Sequence, residues 1–132
     1  MFTLGVSDHV MIAHSFADYF FGPAQRLHGA TYAIDLEVRA PSLNAHEVVM
    51  DIGAMRTILR SVLSEIDYNN LDEHPAFAGR LSTTERVAEY VANEAAKRLA
   101  RINGDGAPVP ASTIRVMARE SPVAYAAFER LL

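Results

Sequence analysis

Cysteine is absent from all 132 residues, and that one fact removes disulfides, thiolate zinc clusters and any cysteine nucleophile. Long apolar runs are missing too. No stretch approaches the roughly 18 residues that a membrane helix needs, and the N-terminus has no basic region leading into a signal-type apolar core. The reading is therefore a cytoplasmic protein with no membrane partner. Charge of one sign is never blocked: 16 acidic and 12 basic residues are interspersed for a net charge of −4, which leaves no electrostatic footprint for nucleic acid. What is present is apolar material. At 50% hydrophobic residues the chain can bury a real core, and its length fits one domain over residues 1–132.

Periodicity orders that material. Val10, Ile12 and His14 alternate with Met11 and Ala13 behind a lead-in of Phe2 and Leu4, which predicts a first strand with His14 closing its apolar face. Residues 16–27 hold Phe16, Phe20 and Phe21 and a Gly22-Pro23 break, and read as a packed loop with a helical turn. Tyr32, Ile34, Leu36 and Val38 against Ala33, Asp35, Glu37 and Arg39 make the clearest alternation in the chain, a half-buried antiparallel strand. From Asp51, a plausible N-cap, Met55, Ile58, Leu59, Val62, Leu63 and Ile66 follow helical spacing. Ser82 and Glu85 sit at capping-box spacing before a second stripe of Val87, Ala88, Val91, Ala95, Leu99 and Ile102, with Gly104 and Gly106 as its stop. Ile114, Val116, Ala118 and Glu120 alternate again, and beyond Pro122 "VAYAAF" supplies a last strand. The expected fold is α+β: a four-stranded antiparallel sheet in the order ββααββ, with both helices on one face. Exposed sheet edges suit assembly into an oligomer.

Six short stretches then align in order with one known family. "VMIAHSF" is similar to its Phe-Ser-Ala-x-His strand, "RLHGATY" to its His-Gly-His-x-Tyr strand, and "VVMDIGAMRTIL" to its Val-Met-Asp helix start. "IDYNNLDEHPAF" resembles its Leu-Asp-His-x-Asn-Leu segment, "LSTTERVAEYV" its Thr-x-Glu-Asn helix start, and "ESPVAY" its terminal Glu-Thr-x-x-x-Tyr. The chain resembles the 6-pyruvoyl-tetrahydropterin and 6-carboxy-tetrahydropterin synthases over nearly its whole length. The resemblance implies a T-fold subunit and an oligomeric barrel, a hexamer made as a dimer of trimers, with pterin pockets between subunits. It implies an enzyme acting on dihydroneopterin triphosphate or a related dihydropterin, by metal-assisted elimination or side-chain cleavage, with catalytic zinc held by three histidines.

By position His14 and His28 match two of those metal ligands. The third position holds Ala30, which cannot coordinate, so either another group completes the site or the metal is held weakly or not at all. Asp18, His9 and His74 are the candidates by residue type, and His9, an odd number of residues from His14, would face away. Ala24 stands about where the family's cysteine nucleophile would be, and residues 15–29 contain no glutamate to replace it. The family's Asp-His pair reads Asp67-Tyr68: Asp67 could act as a carboxylate base, whereas a phenol, whose unperturbed pKa is about 10, is a poor base at neutral pH, so Tyr68 would serve only as a proton donor. Glu120 matches the glutamate that accepts two neighbouring N–H bonds from the pterin ring, with an ion pair to Arg115 or Arg119 as the plain structural alternative. Thr83 and Thr84 match threonines that contact the pterin, and Glu85 the acid that follows them. Three functions stay open: the synthase-type enzyme, a pterin-binding homologue without standard synthase activity, and altered chemistry using Asp67 and Tyr68.

Overall fold

The computed structural model describes residues 1–132. Strand β1 spans Phe2–His14 and β2 spans His28–Ala40, joined by a 3-10 turn over Tyr19–Gln25 that Gly22 interrupts with φ of 52°. Helix α1 covers Ile52–Ser64, β3 is the pair Asn69–Asn70, and helix α2 covers Thr84–Leu99. Strands β4, Thr113–Ser121, and β5, Ala124–Leu131, complete the chain. The four long strands are antiparallel to one another, as their alternation predicts. A fifth, β3, adds to the edge in parallel with β1, giving the order β3-β1-β2-β4-β5.

Two asparagines carry no apolar alternation, so β3 could not be seen in the pattern. It is held there by its neighbour: Asp67 Oδ1 accepts the Met11 N–H at 3.0 Å, and the Tyr68 N–H donates to the Met11 carbonyl at 2.7 Å. That docking needs Tyr68 in left-handed backbone at φ 57°, an uncommon conformation for a non-glycine residue.

Even-numbered residues of β1, β2 and β4 face the helices. Val10, Ile34, Leu36, Val38, Ile114, Val116 and Ala118 are fully buried there against Met55, Leu59, Val62, Val87, Val91 and Ala95, in one continuous core of 29 residues. Helix α1 starts as expected at Asp51, whose carboxylate accepts from the Gly53 and Ala54 N–H groups. Helix α2 departs from expectation at both ends. Its N-cap is Thr83, which accepts from the Arg86 N–H, because the Ser82 side chain is turned inward to a different partner. It closes at Leu99, where the Ala100 N–H bonds back to Ala96 and Arg98, so Ile102, Gly104 and Gly106 lie beyond it.

The opposite sheet face carries cross-strand ion pairs: Arg115 with Glu37 at 3.2 Å, Arg119 with Asp35 at 3.8 Å, and Arg39 with Glu129 at 3.6 Å. Each half-exposed pair contributes roughly 0–1 kcal/mol. Their larger consequence is to occupy Arg115 and Arg119. No helix is long and apolar enough to cross a membrane.

Candidate functional site

Antiparallel pairing brings the end of β1, the start of β2, the end of β4 and the start of β5 to the same edge of the sheet, under the N-terminus of α2. The side chains that meet there line an open cleft of about 710 Å³, with Phe16, Phe21 and Tyr125 as its aromatic wall. His14, His28, Thr83, Thr84, Glu85 and Glu120 all line it, so the fold gathers six residues that are scattered across 107 positions of sequence.

His14 and His28 are direct cross-strand partners, and their ring centroids lie 4.6 Å apart. His14 is 2% exposed. Its Nδ1 stands 3.0 Å from the Ser82 carbonyl and 3.1 Å from Ser82 Oγ; a carbonyl only accepts, so Nδ1 carries the proton and Nε2 keeps its lone pair. His28 makes the same choice, donating Nδ1–H to the Arg26 carbonyl at 2.8 Å. Burial, with a lesser contribution from His28, holds the His14 pKa below its ordinary value of 6.5. At neutral pH His14 is thus an uncharged acceptor. Ser82, which fixes its orientation, reads in the sequence only as a helix cap.

Glu120 lines the same cleft, beside a register shift between Arg119 and Ser121 that re-aims the strand. Its carboxylate makes no ion pair. The two arginines that could have claimed it are bonded to Glu37 and Asp35, and Arg119 also lies 5.0 Å over the Tyr125 ring. What Glu120 does have is a hydrogen bond from Thr84 Oγ1 to Oε2 at 3.3 Å, and Tyr32 Oη stands 3.5 Å from that same threonine oxygen. Burial raises the Tyr32 pKa, so its hydroxyl stays protonated. Nearness to the α2 N-terminus favours negative charge at this end. Tyr32 reads from alternation as plain core; only its parity with His28 and Ala30 could have placed it in the cleft.

The three-histidine zinc site that the resemblance implies does not fit this donor set. Ala30 follows His28 on the same face and is paired with Ile12, so the strand offers a methyl group where a third imidazole would project. The other candidates are engaged elsewhere. Asp18 caps the Phe20 N–H, His9 is on the solvent side of β1, and His74 accepts from the Ala76 N–H while packing on Phe77 and Tyr90. No cluster of three His, Cys, Asp or Glu side chains in the chain could hold a metal ion.

Asp67 and Tyr68 are not among the cleft residues of their own chain. Asp67 is committed to the Met11 N–H and, at 3.3 Å, to Arg60, which also holds Asp8 at 3.1 Å. Tyr68 is 82% exposed, beside the edge of β1 on which β3 docks.

Comparison with known proteins agrees with this architecture. The family model described as 6-pyruvoyl tetrahydropterin synthase matches residues 3–130. The solved structure of the Caenorhabditis elegans 6-pyruvoyl tetrahydropterin synthase is 20% identical, covers 98% of this chain and 95% of its own, and superposes with a TM-score of 0.79. The Plasmodium vivax synthase structure is 19% identical with 98% of both chains covered and a TM-score of 0.75. That of Plasmodium falciparum is 17% identical, covers 98% of this chain and 99% of its own, and has a TM-score of 0.72. No curated protein sequence matches significantly. The structural likenesses, at such identities, speak to the fold, and the family match over residues 3–130 speaks to descent: this chain belongs to the 6-pyruvoyl tetrahydropterin synthase family.

Proposed function

We propose that the cleft binds a dihydropterin and that the protein acts on that ligand's side chain, with dihydroneopterin triphosphate or a related dihydropterin as substrate and elimination or side-chain cleavage as the reaction class. The observation that carries this reading is Glu120: a carboxylate in an aromatic-walled cleft, free of any cation, steadied by Thr84. An unpaired carboxylate flanked by a hydroxyl suits a ligand edge with two adjacent N–H donors, which is what the pyrimidinone ring of a pterin presents. Thr83 and Glu85, at the start of α2, border the same end.

With the ring held at Glu120, the side chain extends toward the histidine pair. A bare imidazole Nε2 accepts a proton, and the lowered pKa of His14 keeps it available for that step at neutral pH. The subunits form a homo-oligomer in this reading, a hexamer of two trimeric rings with clefts at subunit boundaries. Asp67 and Tyr68 then serve a neighbouring subunit's cleft, Tyr68 with its free phenol as the proton donor and Asp67 chiefly as its support.

A second reading, a pterin-binding homologue without synthase turnover, is favoured by Ala24 and Ala30, which line the cleft where the family resemblance implies a nucleophile and a ligand. One experiment separates the two. Purified protein is incubated with 7,8-dihydroneopterin triphosphate, products are analysed by mass, and pterin binding is followed by fluorescence. A new product supports the enzyme, saturable binding without product supports the binding protein, and no binding overturns both.

A further inference from the structure

We propose that His14 and His28 work without a resident metal ion, as a matched pair of hydrogen-bond acceptors that receive hydroxyl groups of the ligand's side chain on their two Nε2 atoms. The proposal takes its ligand class from the function above, but its metal-free core rests on the donor set alone.

Three observations carry it. First, the pair is complete as hydrogen-bonding chemistry and incomplete as coordination chemistry. Both Nδ1–H groups are spent on backbone carbonyls, Ser82 for one and Arg26 for the other, and the cleft side is left with two lone pairs of the same kind. A catalytic zinc site normally takes three protein ligands and keeps a fourth position for water or substrate, so a two-imidazole set leaves half the shell to exchangeable water.

Second, the rings that pack on the pair are carbon rather than donors. Phe16 packs 4.6 Å from the His14 ring centroid and 5.8 Å from that of His28, and Phe21 backs Phe16 at 4.6 Å. Apolar rings offer no ligand to a metal's shell, and the Nε2 positions are left to be satisfied by whatever enters the cleft.

Third, the two carboxylates whose charge reaches His14, Asp72 and Glu120, are each engaged. Asp72, whose charge reaches His14, spends Oδ1 on the Ser15 N–H and Oδ2 on the Ser15 hydroxyl at 2.6 Å. Glu120 is at the pterin end, bonded to Thr84. The missing donor is therefore one residue, Ala30, and its replacement marks a change in what the pair does. Two adjacent acceptors select a side chain carrying two neighbouring hydroxyl groups, since a deoxygenated analogue would leave one lone pair unsatisfied.

The test begins with the full-length protein in its native assembly, equilibrated with excess zinc, desalted, and analysed for metal by mass spectrometry. The expected result is far less than one zinc per chain, together with pterin affinity that EDTA does not alter. Ala30→His, checked for folding by circular dichroism, is expected to raise zinc affinity about 100-fold or more by restoring the third ligand. One zinc per chain in the wild-type protein, lost in His14→Ala, would overturn the proposal. A folded Ala30→His protein that gains no zinc would overturn the assignment of Ala30 as the missing ligand position. Affinity for 7,8-dihydroneopterin against its side-chain-deoxygenated analogue reads the acceptor role, with tenfold or greater preference for the diol expected. Equal affinities would overturn that part. Failure of every pterin to bind would refute the proposed function while leaving the zinc result standing.

Discussion

Replacing Glu120 by glutamine keeps the shape of the side chain and changes only what its end can accept. In the native protein the Thr84 hydroxyl occupies one lobe of Oε2 at 3.3 Å, and no other protein group bonds to the carboxylate, which lines the cleft. Two pterin N–H donors would use one on each oxygen. Glutamine retains one acceptor and turns an NH₂ toward the other donor. The loss is one charge-assisted hydrogen bond, about 1.5–3 kcal/mol. Because Glu120 is exposed, the lower half of that range applies, which weakens pterin binding roughly 10–40-fold. Alanine removes both bonds, about 3–4 kcal/mol, or ~100–1,000-fold. Fold stability should hardly change in either variant, since Glu120 has no ion pair and a single weak hydrogen bond to lose; within about 0.5 kcal/mol is expected. The assay is fluorescence titration of a dihydropterin, with a urea melt on each protein. Wild-type affinity in both variants would refute the assignment of Glu120 as the ring anchor.

Other consequences concern the frame of the site. Leu36, fully buried at the centre of β2, should cost about 2–5 kcal/mol when cut to alanine, read from urea midpoints; a cost under about 1 kcal/mol would mean the core is looser than its burial indicates. Asp67→Ala strands the Met11 N–H and releases Arg60, so about 1–2 kcal/mol of stability should go, and hydrogen exchange at Met11 and Tyr68 should quicken; unchanged exchange would contradict the docking of β3. Stability should fall on acidification because of His14. Its folded pKa lies below the unfolded 6.5, so between those values the unfolded chain binds a proton that the folded chain does not, and stability rises with pH through that window. Melting temperature should therefore drop from about pH 7 to about pH 5, and His14→Gln should flatten the slope; a steeper slope in the variant would reverse the sign.

Much of the frame is legible in the sequence, because burial on one sheet face writes itself as alternation. Tyr32 to Val38 and Ile114 to Ala118 alternate since every second side chain meets a helix, and the α1 stripe is visible for the same reason at a period of 3.6. Features fixed by single polar contacts were not legible. The β3 pairing depends on one carboxylate finding the Met11 N–H, and the α2 cap shifts from Ser82 to Thr83 because Ser82 is taken by His14, 68 positions away. The glycines beyond Leu99 look like a helix stop in the sequence, yet the helix closes by its own backbone bonds before reaching them. His9, Asp18 and His74 look alike as metal donors in sequence and separate only when their partners are seen.

The same limit applied to Glu120. Alternation put a charge on an apolar face, and the sequence could not distinguish a ligand contact from an ion pair with Arg115 or Arg119. The cross-strand register decides where those arginines go. Arg115 is opposite Glu37, and Arg119, opposite Ala33, reaches diagonally to Asp35 on the far face of the sheet. The carboxylate is left to the cleft.

Amide chemical-shift mapping with 7,8-dihydroneopterin measures most directly whether that cleft is the ligand site. Saturable shifts are expected at Thr83, Thr84, Glu85 and Glu120, and at His28 on the opposite rim. Saturable shifts confined to another cavity, such as the one of about 470 Å³ lined by Leu99, Ile102, Val109 and Leu132, or no shifts at all, would contradict it.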